Sequence, residues 1–579
     1  MTDSLINNLF GTPNFYAAGS NGVSYGAEFR RIESLPRRDA PIIDAEALTN
    51  YLKLPGGTQS LRPNQAACLS DAYDFGGLFG LQGTGAGKTL ISLLAPVVLG
   101  SERPVLLVPA SLKYKTEKID IPFYSQHWRM HPQLKVVSNQ TLQTLNSRDL
   151  LYRHMPDLII LDEAHEYRNR KAARTKRLLR YFADYPHTKL IALSGTLTKR
   201  SIKDYWHLIK HALPTHCPLP LHWQELVEWS EALDEGIPDT KRRPAGALSR
   251  FCREGENTRQ GFRRRLTETP GVVATAETSC DASLYIFERL PSRVPEEVVQ
   301  AFHRLRTTAT TPSGDELTDQ MNVWRRGKEL AYGFFYRWIW PNDEPDLEWL
   351  DARRNWRKFV RETLQYNQRG LDSELAIARA VQDGHYPAHF YNEWISVKDR
   401  WNPHPPREAV WVSDYLIQDA SVWLAENTGV IWVEHDAVGT RIEQTLGIPY
   451  FGSAADEALL SYAETGQSFA ASIHAHGKGK NLQNYSKCLM FCCPSGGDVW
   501  EQVLARHHRP GQVADEVVCA VYQHSRELWS AFAKAMNDAR YIEDTTGQQQ
   551  KINVSSILRL TDVQAIARMS GADPLWSAR

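Results

Sequence analysis

Two short stretches carry residue types suited to phosphate chemistry. In Gly80-Leu-Gln-Gly-Thr-Gly-Ala-Gly-Lys-Thr89, the glycines at 83, 85 and 87 let the backbone fold back so that its N–H groups converge on one point. The apolar run from Leu90 to Leu94 predicts a helix whose positive end faces the same point. Such a turn cradles a phosphate chain. The backbone of Gly83, Thr84, Gly85, Ala86 and Gly87 supplies donors, Lys88 supplies a cation for the β and γ phosphates, and the Thr89 hydroxyl is placed to ligate Mg²⁺. The generic pattern has glycine where this chain has Gln82, so the stretch departs from it there. The second stretch, Asp157-Leu-Ile-Ile-Leu-Asp-Glu-Ala-His165, is a Leu/Ile run ending in two adjacent carboxylates. Asp162 suits Mg²⁺ held through its water shell, and Glu163 suits orienting and deprotonating a water that attacks the γ-phosphate. ATP and Mg²⁺ are the cofactors these residues imply.

The elements behind them must bring both stretches to one place. Leu158–Leu161 has the length and composition of a buried strand, and in a parallel sheet the carboxyl ends of the strands share one rim, so the carboxylates and the phosphate loop are expected there together. Apolar strand-like runs recur at Pro104–Val108, from Val136 and from Leu190. Their alternation with helical stretches from 60 to about 212 predicts a doubly wound α/β unit.

Lys88-Thr89 together with Asp162-Glu163-Ala164-His165 resembles the helicase superfamily 2 ATPases, whose motif I is G-x-G-K-T, whose motif II is DEAH, and which tolerate a non-glycine at position 82. Further segments follow in that family's order. Leu61-Arg-Pro-Asn-Gln65 is similar to the L-R-P-x-Q segment of the Swi/Snf type, which implies that Gln65 reads the adenine edge; Asn64 stands where that family often has an aromatic. Pro104–Lys113 resembles motif Ia, with Ser111 and Lys113 as contacts to nucleic-acid phosphates. Val136–Leu142, containing Ser138, looks like motif Ib, and Leu190–Leu197 resembles motif III, in which Ser194 and Thr196 would couple the ATP rim to the nucleic-acid side. Gly429–His435 looks like motif IV. Ser472–Leu482 resembles motif V, matching at Gly477, Gly479, Asn481 and Leu482; Lys478 and Lys480 stand at positions that are usually apolar and are expected to add phosphate contacts beside Asn481.

Gln502-Val-Leu-Ala-Arg-His-His-Arg-Pro-Gly-Gln512 resembles motif VI of the Swi/Snf subgroup. A guanidinium matches phosphate bidentately and stays charged, so Arg506 and Arg509 are expected to stabilise the γ-phosphate in the transition state, with Gln502 in a coupling role. The resemblance covers residues 61–197 and about 411–524. It implies two RecA-like doubly wound parallel-sheet lobes with a large helical insertion. The expected division is an N-terminal accessory segment (1–55), a first lobe (56–212), an Arg/Trp-rich helical insertion (213–410), a second lobe (411–540) and a helical tail (541–579). The implied function is an ATP-dependent translocase on duplex or branched DNA, with RNA left open. A strand-separating helicase and an ATP-gated clamp that does not translocate are the alternatives.

Lys plus Arg equals Asp plus Glu at 67 each, so any grip on nucleic acid must come from a local basic groove. The eight cysteines form no C-x-x-C pair and read as reduced residues of a cytoplasmic protein. No run is apolar and long enough to span a bilayer, no basic leader opens the chain, and a monomer is expected. Arg30, Arg31, Arg37 and Arg38 read as a solvated face, and His474 and His476 as loop histidines. In the insertion, Trp338, Trp340, Trp349 and Trp356 accompany Arg353, Arg354, Arg357, Lys358 and Arg361. That mixture fits either a base-stacking platform or a packed helix, because Trp349, Trp356, Val360 and Leu364 approximate one helical stripe. Residues 515–524 are expected to form the last strand, before a helical tail carrying Trp529 and Trp576.

Overall fold

The computed structural model describes residues 22–38, 44–144, 149–275, 280–314, 320–366, 374–401 and 405–558, together with residues 147, 317 and 371. It is an α/β structure built on two parallel sheets. The first contains Leu78–Leu81 (β1), Pro104–Val108 (β2), Lys135–Ser138 (β3), Leu158–Asp162 (β4), Lys189–Ser194 (β5) and Val272–Ala274 (β6), in the order β3-β2-β4-β5-β1-β6. Successive side chains of a strand point to opposite faces, and here both faces are buried. Ile159 and Leu161 join Val105, Leu107, Leu190 and Ala192 in one core, while Leu158 and Ile160 join Leu106, Val108, Ile191 and Leu193 in the other. That two-sided burial is why these strands read as unbroken apolar runs.

The second sheet contains Ser283–Arg289 (β7), Val430–Val433 (β10), Tyr450–Phe451 (β11), Phe469–Ser472 (β12), Lys487–Met490 (β13), Glu516–Tyr522 (β14) and Ser556–Leu558 (β15), in the order β11-β12-β10-β13-β14-β7-β15. Phe334–Trp338 (β8) and Arg407–Trp411 (β9) form a separate antiparallel ribbon.

The expected helical insertion over 213–410 is therefore divided. β6 extends the first sheet, with Phe79 opposite Val272, and β7 enters the second, with Val517 opposite Leu284. β7 alternates, burying Leu284 and Ile286 and leaving Ser283 and Phe287 exposed, and such a half-buried strand lacks the continuous apolar run that marks the others. The helices Glu296–Thr308 and Gln320–Ala331 also pack into the second core through Val298, Phe302, Leu305 and Leu330. The ribbon packs on the same core through Phe334 and Phe335, and what stands apart are the helices Leu347–Tyr366, Glu374–Gln382 and His389–Val397. There Trp349 and Trp356 are buried, and Trp349 packs edge-on against Trp338 and Trp340. The Arg353 guanidinium lies over the Trp349 ring at 4.9 Å. Trp349 and Trp356 serve packing, whereas Arg354, Arg357, Lys358 and Arg361 face solvent.

The chain also continues past the strand expected to be last: β15 pairs with β7, Ile557 opposite Ile286. Trp576 lies outside the described residues. Two of the four N-terminal arginines, Arg31 and Arg38, turn inward as fasteners, which corrects the solvated reading for them, while Arg30 and Arg37 stay exposed. Arg31 donates to the carbonyls of Cys217 (2.9 Å) and Leu219 (2.8 Å), Arg37 pairs with Glu268 (3.0 Å), and Arg38 pairs with Asp71. All eight cysteines are free, six of them buried. Among the described residues no helix is long and apolar enough to cross a membrane.

Candidate active site

The phosphate loop leaves β1 and enters the helix Lys88–Val98. Gly85 and Gly87 have φ of 87° and 82°, the left-handed region where glycine carries no penalty. A Cβ on Gly87 would stand 2.1 Å from Gln65 Nε2, so the turn is closed to any side chain there. Gln82 is fully buried and knits the loop to its surroundings. Its Oε1 accepts from Asn64 Nδ2 (3.1 Å) and Thr275 Oγ1 (2.5 Å), and its Nε2 donates to the Val273 carbonyl (2.9 Å). Asn64 Nδ2 also donates to the Ala86 carbonyl at 2.9 Å. The departure from the generic loop pattern is thus a buried clasp tying the loop to β6 and to the helix Pro63–Phe75.

Strand order decides which rim residues meet. β5 lies between β4 and β1, so at a spacing of about 4.8 Å per strand the carboxylates sit roughly 10 Å from the loop, with the end of β5 between them. Long side chains close that gap. Lys88 Nζ donates to the carbonyls of Gln82 and Gly83, each at 3.3 Å, and lies 3.7 Å from Glu163 Oε1. Glu163 itself is left-handed (φ 64°, ψ 54°), a conformation that costs a non-glycine residue about 1–3 kcal/mol and persists where the surroundings enforce it. His165 Nδ1 lies 3.2 Å from both Glu163 Oε2 and Ser194 Oγ, and Ser194 Oγ accepts from the Thr196 N–H at 3.2 Å.

Charge follows from this packing. Burial opposes ionisation of Glu163, but Lys88 and the bond to His165 outweigh it and hold that carboxyl well below its usual range. Burial and the adjacent Glu163 charge push Asp162 up to about 7. No three His, Cys, Asp or Glu side chains cluster as ligands among the described residues. Mg²⁺ here would rest on Thr89, Asp162, water and phosphate oxygens, a ligand set that hard, well-hydrated ion accepts.

The arginines come from the helix Gly497–His507 and the turn after it. Arg506 is buried; its Nε donates to the Gln502 carbonyl (2.8 Å) and its Nη1 to the Lys480 carbonyl (3.0 Å). Burial and the nearby Arg509 lower its pKa to about 10, against the opposing pull of Glu163 and Glu501, so it remains charged at neutral pH. Arg509 Nη1 donates to the Lys480 carbonyl (3.3 Å) and to Asn481 Oδ1, while its buried Nε has no partner among the described residues. Contact with the first sheet's rim is direct, because Gln502 Nε2 lies 3.5 Å from His165 Nε2. Ion pairs join the two sides around it. Asp498 takes Arg168 (2.9 Å) and Lys199 (3.1 Å), Glu166 takes Lys478 (3.4 Å), and Asp538 takes Arg200.

Several expected contact residues are placed differently. Lys480 is buried with Nζ 2.5 Å from Asp456 Oδ1, an internal ion pair and not a free phosphate contact. Ser138 is buried at the end of β3, its Oγ accepting from the Thr141 N–H at 3.1 Å. Gln65 is buried too; its Oε1 accepts from the Arg62 N–H (2.9 Å) and its amide lies over Gly87, where it braces the loop. His476 is not a loop histidine but is buried against the Gly452 carbonyl at 2.7 Å. Ser111 and Lys113 stay partly exposed on the helix Ala110–Lys115, and Asn481 is exposed beside Arg509.

Thr275, Arg168, Lys199 and Asp498 contact the candidate site yet carry no local signal, since each matters only through a partner distant in the chain; Gln548 joins them. The Gln-Gln-Gln run at 548–550 was the one mark available. A scan against protein-family models returns no match for this chain, and a search of curated proteins returns none.

Proposed function

We propose that this chain is an ATP-dependent DNA translocase of helicase superfamily 2, its two sheets forming two RecA-like lobes. The observation that carries the reading is one continuous set of contacts. Lys88, Glu163 and His165 on the first sheet's rim reach Gln502, and Gln502 holds Arg506 from the second side. The loop backbone and Lys88 bind the phosphates, and Thr89 with Asp162 hold the cation. Bound Mg²⁺ supplies positive charge to the phosphate oxygens. Glu163, kept ionised by Lys88 and His165, orients a water and accepts its proton. Arg506 and Arg509 offset charge building on the transferring phosphoryl group. Because those arginines sit on the second side, turnover requires the sides to be together, and product release frees them to part.

Nucleic acid is assigned by the Swi/Snf-like segments, with Ser111, Lys113, Lys478 and Asn481 as the accessible polar groups. ATPase activity measured with duplex DNA, forks, single strands and RNA tests the assignment, followed by triplex-displacement and strand-displacement assays. Stimulation by duplex or forked DNA with triplex displacement is the expected result. Indifference to every polynucleotide would end the motor reading, and equal stimulation by RNA would end the preference for DNA.

A further inference from the structure

The helix Arg526–Thr546 packs against both sides and ends at Gly547, after which the chain turns back through Gln548-Gln-Gln-Lys551 toward β15. Gln548 is buried across the phosphate loop. Its Oε1 lies 3.6 Å from where a Cβ on Gly83 would stand, and its Nε2 donates to the Thr275 carbonyl at 3.0 Å. Thr275 is also the residue whose hydroxyl bonds Gln82. Three residues later, Lys551 holds the arginine helix. Its backbone N–H donates to Glu501 Oε2 (2.6 Å), and its Nζ lies 3.1 Å from His508 Nδ1. The segment has its own anchor: Glu543 accepts from the Gln550 N–H (2.7 Å) and from Asn553 Nδ2 (2.8 Å). Four residues of extended chain span at most about 14 Å, so the phosphate loop and the helix bearing Arg506 are tied by a short link outside every superfamily-like segment.

We propose that Gln548–Lys551 is a positioning strap of the ATP site, in which Gln548 fixes the Gly83 turn of the phosphate loop and Lys551 fixes the helix that delivers Arg506. The proposal rests on the ATP-site reading above. Gln548 lies against Gly83 and bonds the Thr275 carbonyl, with no hydrogen bond to Lys88, Thr89, Asp162 or Glu163 among the described residues, so its loss acts on nucleotide binding and not on the chemical step.

Titration of a fluorescent ATP analogue with Mg²⁺ against the full chain tests this. Gln548→Ala should raise the Kd about fivefold, the loss of one net hydrogen bond, with kcat within about twofold of the parent and DNA affinity unchanged. Gln548→Glu keeps the volume but cannot donate to the Thr275 carbonyl and sets negative charge beside the loop, so it should weaken binding more than the alanine variant does. Asn553→Ala is the structural control, removing a bond within the anchor while touching neither the loop nor the arginine helix, and should leave the Kd within about twofold. If the parent binds ATP but both Gln548 variants bind it equally well, the strap role is overturned. It is equally overturned if Asn553→Ala weakens binding as much as Gln548→Ala. A parent that binds no ATP instead overturns the underlying site reading.

Discussion

Replacing Gln82 with glycine separates pattern from structure. By the generic phosphate-loop pattern Gln82→Gly is a restoration and should be neutral or better. The structure demands the opposite. The side chain makes three hydrogen bonds in a fully buried setting, to Asn64 (3.1 Å), Thr275 (2.5 Å) and the Val273 carbonyl (2.9 Å). At about 1 kcal/mol net for each, their loss costs about 3 kcal/mol, and the added backbone freedom of glycine contributes a further 0.5–1 kcal/mol or so. For a unit of 150–250 residues each kcal/mol moves Tm by about 2–4 °C, which puts the expected fall near 10 °C. The same change frees the loop from β6, so ATP binding should weaken as well. Thermal unfolding followed by circular dichroism, with a nucleotide titration on the same samples, measures both effects. A Tm shift under about 2 °C, or tighter ATP binding, would refute the argument that Gln82 clasps the loop.

Other outcomes follow from the same geometry. Lys88→Ala and Glu163→Gln should each abolish turnover, with Glu163→Gln still retaining ATP in an equilibrium binding assay; Arg509→Ala should lower the rate about a thousandfold or more, and near-normal turnover would remove it from the finger role. Arg506→Lys should fail to rescue, because one ammonium cannot reach the Gln502 and Lys480 carbonyls in the guanidinium's fixed fork. In DNA-binding titrations across salt, Lys113→Ala should flatten the log–log slope by about 0.9, whereas Lys480→Ala should leave it unchanged because that ammonium is spent on Asp456. Asp498→Asn should lower kcat by loosening the join. Burial disfavours the Asp498 carboxylate, but Arg168 and Lys199 outweigh that and hold its pKa well below the usual value. Its stabilisation is therefore fully present above the unfolded carboxylate pKa of about 3.9 and is lost as pH falls toward the lower folded value. The Tm difference between parent and Asp498→Asn should be flat from pH 8 to 5 and shrink only in stronger acid.

Much of the site was legible because its parts are local. Glycines at 83, 85 and 87 before Lys88-Thr89, an apolar strand ending in Asp162-Glu163, and arginines spaced as Arg506 and Arg509 are patterns a few residues long, and each specifies its own backbone shape. Two-sided burial made β2, β4 and β5 readable for the same reason. β7 and β15 were not readable. One is buried on a single face, the other has three residues, and both owe their place to pairing across long loops.

The glycine-rich loop before Lys88-Thr89, the carboxylate pair Asp162-Glu163 and the two arginines Arg506 and Arg509 can be read from the residues alone, and so can their order. Their relations came from the folded chain: β5 between β4 and β1, Glu163 left-handed against Lys88, Lys480 turned inward to Asp456, Gln548 laid across Gly83. Each of these depends on which distant groups exclude water from one another, and that is settled by the packing of the whole chain, beyond the reach of any run of neighbouring residues.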